Sequence, residues 1–364
     1  MLGSAVQAMR EFEPMSSSSR RPSRRTLLAA ALLPFAARTA RAEGPTETVR
    51  LGSLRFVSSG AVFIAIERGY FKDEGLAIEP RFFDAAQPIA VATASGDLDL
   101  GVTAFTGGFF NLAGKGALKV IAAQAKEAKG FEGNLVLVSN AAFDKGFREI
   151  SQFPGHSIGI TQIGSSFHYQ LGQIAAAKGI DIKSIAIRPL QTLLAMGAAL
   201  KTGQVDSIII APHLAHAMID NGDAKLIARY SDIDEYQFGG LFTTPKAIAS
   251  RRPMLEKFVR AYQKGASDYA AALLRRDADG KRVFDDASDE VAGLIAKYVY
   301  PDRAVKAAKL VEASAFYVDP QGRLDVADIL KQIAWYEAQG LVEAGVDGRA
   351  VLDLSFVKGP FNAP

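Results

Sequence analysis

Apolar and polar residues alternate in two different rhythms along the chain. Short runs rich in β-branched residues, VRLGSLRF (49–56), LAIEPRFF (76–83) and LDLGVT (98–103), are typical of β-strands. Longer segments with helical spacing, AVFIAIERGYFKDEG (61–75) and AAQPIAVATASG (85–96), lie between them. Strands that alternate with helices predict an α/β fold with an open sheet, which binds ligands at the carboxyl ends of its strands.

The pattern of residues 78–105 recurs at residues 185–212, a constant offset of 107 positions. A repeat of this length is too long for a solenoid and predicts two related α/β lobes instead. The clearest matches are Ile78 with Ile185, Arg81 with Arg188, Gly96 with Gly203, and Asp99 with Asp206.

Two segments are predicted to connect the lobes, NLVLVSN (134–140) on the way out and FGGLFTTP (238–245) on the way back. The residues after them form a long helical tail, which we expect to pack on lobe one. We therefore predict lobe one as residues 46–139 and 242–364, and lobe two as residues 140–241. Two lobes joined by two crossover hinge segments form a clamp that closes on a small ligand.

The basic charge of the chain is concentrated at its start. The formal net charge is +3, but residues 1–42 hold seven arginines and two acids, so the remainder is slightly acidic. Nucleic-acid binding therefore loses its main support. An apolar run (27–37) and the small-residue site ARA (40–42) give residues 1–42 the layout of a signal peptide, and SRRTLL (23–28) resembles the twin-arginine export motif.

Cysteine is missing from the sequence, which excludes disulfides, thiol nucleophiles and a lipid-modified cysteine after the leader. The apolar run of the leader is far shorter than the roughly 20 residues that a membrane-spanning helix needs. We expect removal of the leader near Ala42 and a free monomer in a bacterial periplasm.

Four motifs together resemble the periplasmic solute-binding proteins of ABC importers, in the nitrate/sulfonate/taurine and pyrimidine-precursor (NMT-like) group. They are GYFKDEGLAIE (69–79), ASGDLDLGVT (94–103), GSSFHY (164–169) and KTGQVDSIIIAP (201–212). The resemblance spans nearly all of the chain after the leader. It implies a two-lobed periplasmic-binding-protein fold of type II, and delivery of a small molecule to a membrane permease and its ATPase. No cofactor is expected.

The ligand cleft is expected where strands of both lobes end and helices begin. In GSSFHY, the unpaired N–H groups of a helix start suit an acidic ligand, and the serine hydroxyls add donors. The repeat nominates matching loops elsewhere. The ligand-binding candidates are Phe56, Ser58, Ser59, Thr103, Phe105, Thr106, Ser165, Ser166, Phe167, His168, Pro212, His213, Tyr236 and Phe238.

Each candidate also has a purely structural alternative. A serine or threonine at a helix start is commonly an N-cap, which applies to Thr106 and to the serines of GSSFHY. Phe105 fits core packing equally well, because most phenylalanines are buried. Tyr236 and Phe238 could pack the hinge instead of covering a ligand.

Two further patterns suggest other chemistry. His213 and His216 have a spacing that could bind zinc, but no acid or cysteine adjoins them in the sequence. GHSIG (155–159) matches the G-x-S-x-G nucleophile elbow, yet it precedes a strand where the elbow must follow one. We therefore predict neither a metal site nor catalysis. A pyrimidine synthase of the same fold carries a cysteine-rich motif, which this chain lacks.

The predicted function is capture of a small organic anion, a sulfonate or an aromatic or aliphatic carboxylate, for import. The predicted loops offer hydroxyl, imidazole and aromatic groups without an evident Arg or Lys, so an apolar or aromatic body is expected. Two alternatives stay open: the ligand is a neutral heterocycle such as a pyrimidine precursor, or the protein is a ligand-sensing subunit for a receptor.

Overall fold

A computed structural model describes residues 46–359 and residue 361, apart from the side chains at positions 303, 305 and 306. The predicted signal peptide, residues 1–42, lies outside the described residues. Within them, no helix combines the length and apolar character that crossing a membrane requires.

Twelve strands lie within the described residues and form two five-stranded sheets and one two-stranded pair. The strands are β1 Glu47–Ser53, β2 Leu76–Phe82, β3 Leu100–Ala104, β4 Lys119–Ala123, β5 Lys126–Glu127, β6 Leu135–Ser139, β7 Ser157–Ile160, β8 Ala186–Pro189, β9 Ser207–Ile210, β10 Ala224–Arg229, β11 Tyr236–Gln237 and β12 Gly239–Thr243.

Twelve α-helices in the described residues cover these sheets and form the C-terminal tail. The helices are α1 Gly60–Glu67, α2 Tyr70–Asp73, α3 Ala86–Ser95, α4 Gly107–Gly114, α5 Asn140–Asp144, α6 Ser166–Lys178, α7 Leu193–Lys201, α8 Pro212–Asp220, α9 Pro245–Leu273, α10 Asp286–Val299, α11 Ala308–Ala313 and α12 Val326–Ala338.

The two large sheets have the same topology, which confirms the two-lobed α/β prediction. Lobe one has the strand order β2-β1-β3-β12-β4, and lobe two has the equivalent order β8-β7-β9-β6-β10. In each sheet four strands run in the same direction, and one strand, β12 or β6, lies antiparallel between two of them. The central strands are buried along their whole length, as expected for sheets covered on both faces.

The repeated aspartate has the same structural role in both lobes. The Asp99 carboxylate accepts the Arg50 backbone N–H at 2.8 Å, which ties the start of β3 to β1. The Asp206 carboxylate likewise accepts the Ser157 N–H at 2.8 Å, which ties β9 to β7. The offset of 107 residues therefore reflects a repeated fold and not a shared ligand.

The structure corrects the predicted crossings. Leu135–Ser139 forms β6 in the middle of the second sheet, so lobe two includes residues that we had assigned to lobe one. Gly239–Thr243 forms β12 in the first sheet, before the boundary predicted at residue 242. The chain crosses through the short antiparallel pair β5 and β11. An apolar run looks alike in a sheet and in a crossing, because only strand pairing separates the two.

The C-terminal tail packs on lobe one, as predicted, but it also reaches lobe two. Helix α9 lies against α1, α2 and β2, and α10 lies against α1 and α9. Helix α11 contacts α8, and α12 contacts α4, β11 and α6. The tail therefore bridges the two lobes beside the hinge.

Candidate functional site

A cavity lies between the lobes, at the carboxyl ends of the strands. Its empty volume, including the open mouth, is about 390 Å³. Lobe one and the hinge contribute eight lining residues and lobe two contributes six. They are Leu54, Phe56, Asp84, Ala85, Ala86, Ala104, Thr106 and Phe238, and Thr161, Gln162, Ser165, Ser166, Phe167 and Leu193.

Four helices begin at this cavity. Ala85 and Thr106 are the N-caps of α3 and α4 in lobe one. Ser165 is the N-cap of α6 in lobe two, and Leu193 is the first residue of α7. A helix start carries unpaired N–H groups and a partial positive charge, so four such starts favour an acidic or strongly hydrogen-bonding ligand.

Two residues with hydroxyl side chains line the cavity and have no hydrogen-bond partner for those side chains in the described part of the chain. Thr161 and Ser166 line it and are 7% and 5% exposed. Neither side chain makes a hydrogen bond to another described residue. These hydroxyls are available to a ligand.

Six of the sequence candidates line the cavity: Phe56, Thr106, Ser165, Ser166, Phe167 and Phe238. The Ser165 hydroxyl also accepts the His168 N–H at 3.3 Å, and the Thr106 hydroxyl accepts the Phe109 N–H at 2.9 Å. The capping alternative therefore holds for Ser165 and Thr106, but it does not remove them from the cavity wall.

The other lobe-one candidates are turned into the core of that lobe. Ser58 and Thr103 are buried away from the cavity lining. The Ser59 hydroxyl accepts hydrogen bonds from the Ser53 hydroxyl and from Gln124 Nε2, each at 3.1 Å. The Phe105 ring packs 5.2 Å from the Phe109 ring, so its core alternative is the observed one.

The two candidate histidines also lie outside the cavity lining. His168 Nδ1 accepts the Gly164 N–H at 3.1 Å, and burial lowers the pKa of its imidazole. His213 lies 4.8 Å from the Phe56 ring, and burial, helped by the neighbouring His216, lowers its pKa to about 3. Both imidazoles are therefore neutral and cannot attract an anion by charge.

The remaining candidates, Pro212 and Tyr236, have structural positions. Pro212 is the first residue of α8 and does not line the cavity. Tyr236 lies in the hinge strand β11, with its ring 5.3 Å from Tyr169 and 5.5 Å from Tyr230. Tyr236 therefore packs the hinge, whereas its neighbour Phe238 reaches the cavity.

Sequence reasoning missed the starts of α3 and α7. Ala86 and Leu193 line the cavity, and they correspond to each other at the repeat offset of 107. That correspondence was a usable signal, but neither residue carries a polar group that draws attention. Asp84, the charged residue among the lining ones, was missed for the opposite reason, because an exposed acid before a helix is commonplace.

The serine of GHSIG is tied to an aspartate. The Ser157 hydroxyl donates to Asp206 Oδ2 at 2.8 Å, and His156 Nδ1 lies 3.5 Å from the same oxygen. A catalytic triad instead places histidine between serine and aspartate. Ser157 also begins β7, at the end of the strand far from the cavity.

His213 and His216 lack the neighbours of a metal centre. Glu132 Oε1 does lie 3.4 Å from His216 Nε2, an acidic contact that the local sequence did not indicate. Even so, the described residues contain no group of three or more His, Cys, Asp or Glu side chains arranged to hold a metal ion.

Comparison with solved structures identifies the fold. The alkanesulfonate-binding protein SsuA from Xanthomonas axonopodis pv. citri, bound to MOPS, matches with a TM-score of 0.65 and 19% identity over 86% of this chain and 100% of that chain. The periplasmic nitrate-binding protein NrtA from Synechocystis PCC 6803 matches with a TM-score of 0.62 and 13% identity over 84% and 85% of the two chains. The predicted periplasmic-binding-protein fold is thus confirmed.

An enzyme shares the same fold. The desulfurization enzyme DSZB matches with a TM-score of 0.57 and 13% identity, over 85% of this chain and 97% of that chain. The fold alone therefore does not separate binding from catalysis.

Family membership rests on the sequence itself. A search among curated proteins finds no match. The family model described as NMT1/THI5 like matches residues 57–272, which is more than half of the chain. The chain therefore belongs to the NMT1/THI5-like family.

Proposed function

We propose that this protein is the periplasmic substrate-binding component of an ABC importer and captures a small organic acid between its lobes. The observation that carries the proposal is the inter-lobe cavity beside the start of α6. Its lining includes Thr161 and Ser166, whose hydroxyl groups have no hydrogen-bond partner among the described residues. Closure on a ligand shifts the population towards the closed form, because contacts on both lobes are made only there.

The lining suggests an acid with an apolar body. The described residues that line the cavity include no Lys or Arg, so N–H and hydroxyl donors would have to hold the acidic group. Phe56, Phe238 and Leu193 supply apolar surface around it. Nitrate would leave this surface unused, so a sulfonate or carboxylate with an aliphatic or aromatic body fits better.

One observation favours a second ligand class. Asp84 brings a carboxylate to the wall of the cavity, where it would repel a strongly anionic ligand and accept hydrogen bonds from N–H groups. A neutral amino-substituted heterocycle, such as a pyrimidine precursor, would use Asp84 in this way. A ligand screen must therefore include pyrimidines as well as organic acids.

The proposed partners and location follow from the family and from the leader. The similar structures are named as sulfonate- and nitrate-binding proteins, and the latter as periplasmic. The signal-peptide layout of residues 1–42 agrees with export. We infer a monomer that delivers its ligand to a membrane permease and its ATPase. A sensing role would use the same cavity with a receptor as partner.

Catalysis is not part of the proposal. The Ser165 hydroxyl accepts a hydrogen bond from the backbone of His168, while His168 Nδ1 accepts one from Gly164. The imidazole is thus not placed to remove a proton from that serine, as a nucleophile–base pair requires.

A thermal-shift and calorimetry screen against sulfonates, aromatic carboxylates and pyrimidines tests the function. A true ligand at 100 times its dissociation constant should stabilise the protein by about 2.7 kcal/mol. If no compound raises the melting temperature, the proposed ligand classes are wrong.

For the compound that binds, Ser166→Ala and Thr161→Ala should each weaken affinity about tenfold or more, because a hydrogen bond to a charged group contributes about 1.5–3 kcal/mol. Ser58→Ala is the matched control, since Ser58 is equally buried but lies outside the cavity lining. Unchanged affinity in both cavity variants, or an equal loss in the control, would contradict the proposed site.

A further inference from the structure

Two tyrosines of the C-terminal tail donate hydrogen bonds to lobe two. The Tyr336 hydroxyl donates to the carbonyl oxygen of Ser165, and the Tyr300 hydroxyl donates to that of His213, each at 3.1 Å. Ser165 caps α6, and His213 is the second residue of α8. Each bond therefore holds the beginning of a lobe-two helix.

The Tyr336 ring packs between the two lobes. Its ring lies 5.9 Å from the Phe110 ring of α4 in lobe one and 5.8 Å from the Tyr169 ring of α6 in lobe two. A Cβ atom added to Gly107 of lobe one would come within 3.3 Å of it. The Gly107 N–H itself donates to the Gly164 carbonyl oxygen across the boundary at 2.9 Å. Two successive carbonyls of the ligand loop, Gly164 and Ser165, are thus bound from outside lobe two.

Tyr300 makes the equivalent contact at α8. It follows the last residue of α10, a helix that packs on α1 and α9 of lobe one. The imidazole of His213 approaches the rings of Phe56 and Tyr300, with centroid distances of 4.8 Å and 6.4 Å. His213 is only 4% exposed, so its side chain is buried beside these two rings.

We propose that Tyr300 and Tyr336 are positioning residues for ligand capture, whose phenol groups hold the starts of α8 and α6 against lobe one and favour the closed form before a ligand arrives. The inference rests on the clamp motion of the proposed function. Neither tyrosine lines the cavity, so neither needs to touch the ligand.

Tyr336 also acts on a group that faces the ligand site. The Ser165 carbonyl accepts the Tyr169 N–H at 3.1 Å within the helix, and Tyr336 uses its second lone pair. That carbonyl belongs to the same peptide group as the Ser166 N–H, at the start of α6. A donor on the oxygen polarises the N–H, which makes it a stronger donor to a bound acid.

Resonance energy transfer in the ligand-free mature protein tests the proposal without any ligand. The sequence has no cysteine, so Lys72→Cys in lobe one and Lys145→Cys in lobe two, both at exposed positions, give two unique labelling sites. The parent protein should populate a measurable high-transfer, closed fraction without ligand. Tyr336→Phe should lower the closed-to-open ratio about two- to tenfold, as expected for one lost hydrogen bond. Tyr300→Phe should lower the ratio as well, and the double variant should lower it further.

Tyr262→Phe is the matched control. The Tyr262 hydroxyl donates to the Ala123 carbonyl oxygen at 2.8 Å inside lobe one, so its loss should lower the melting temperature and leave the ratio unchanged. A parent protein with no closed fraction in the absence of ligand, or a double variant with the parent's ratio, would overturn the proposal. If the ligand screen fails but the tyrosine variants still lower the closed-to-open ratio, the proposed ligand class is wrong and the role of the two tyrosines is supported.

Discussion

Single small residues decide how the tail meets the ligand helix. Gly172 lies inside α6, where a glycine normally destabilises the helix by about 1 kcal/mol relative to alanine. Here the indole of Trp335 occupies the space, because an added Cβ atom would lie 2.2 Å from Trp335 Cζ2. The same indole meets the His168 ring edge-on, at a centroid distance of 5.4 Å. Gly172 therefore permits the close approach of α12 to α6.

Gly172→Ala should lower the free energy of unfolding by about 2 kcal/mol, because overpacking a filled contact costs more than the helix gains. Gly293→Ala is the matched control, since Gly293 lies inside α10 with no atom within 4 Å of an added Cβ. The control should be more stable than the parent by up to about 1 kcal/mol. Urea denaturation measures both, and equal effects of the two substitutions would contradict the packing argument.

The hinge elements are short strands that carry a buried acid. Glu127 of β5 is 0% exposed, and its carboxyl group accepts the Asn134 N–H and the Gln170 side-chain amide, each at 3.0 Å. Burial raises the pKa of Glu127 to about 8, against these two hydrogen bonds. The group is therefore protonated in the folded protein at neutral pH, whereas an unfolded chain would ionise it.

The pKa of Glu127 is higher in the folded state than in the unfolded state. Its stabilising contribution is thus complete below about pH 4.5 and is lost as the pH rises towards 8, by roughly 1.4 kcal/mol per pH unit. Glu127→Gln cannot ionise, so its unfolding free energy relative to the parent should rise between pH 5 and pH 8. Urea denaturation across this range checks the slope. A Glu127→Gln curve that runs parallel to that of the parent would refute the assignment.

At the scale of the whole molecule, the same aspartate supports both lobes with different strength. Asp99 receives the side chains of Arg50 at 3.1 Å and Arg251 at 2.6 Å as well as a backbone N–H. Burial would raise the pKa of Asp99, but these donors lower it overall. Asp206 has the Ser157 hydroxyl and N–H, and its side chain is more exposed, 36% against 9%.

Asp99→Asn should therefore cost about 2–3 kcal/mol of unfolding free energy, because two guanidinium groups lose their charged partner. Asp206→Asn should cost about 1 kcal/mol, since an amide oxygen can still accept the backbone N–H. Chemical denaturation of the two variants gives the comparison. Equal losses would mean that the repeat is energetically symmetric, contrary to this expectation.

The sequence by itself determined the elements, the duplication and the general location of the cavity. Periodicity and helix-start signals depend only on residues close together in the sequence, so they can be recognised without knowledge of the fold. The loop GSSFHY was correctly assigned to a helix start, and Ser165, Ser166 and Phe167 do line the inter-lobe cavity.

Only the tertiary structure decided to which sheet each apolar run belongs and which serine hydroxyl lacks a hydrogen-bond partner. Strands β6 and β12 could be assigned only through their partners in the sheets, because their sequences suit either lobe. Ser59 and Ser166 both lie in serine pairs next to a helix start in the sequence. In the structure Ser59 is hydrogen-bonded inside lobe one, whereas Ser166 lines the cavity. The physical reason is that strand pairing and the partners of buried polar groups come from residues far away in the chain, which local patterns do not encode.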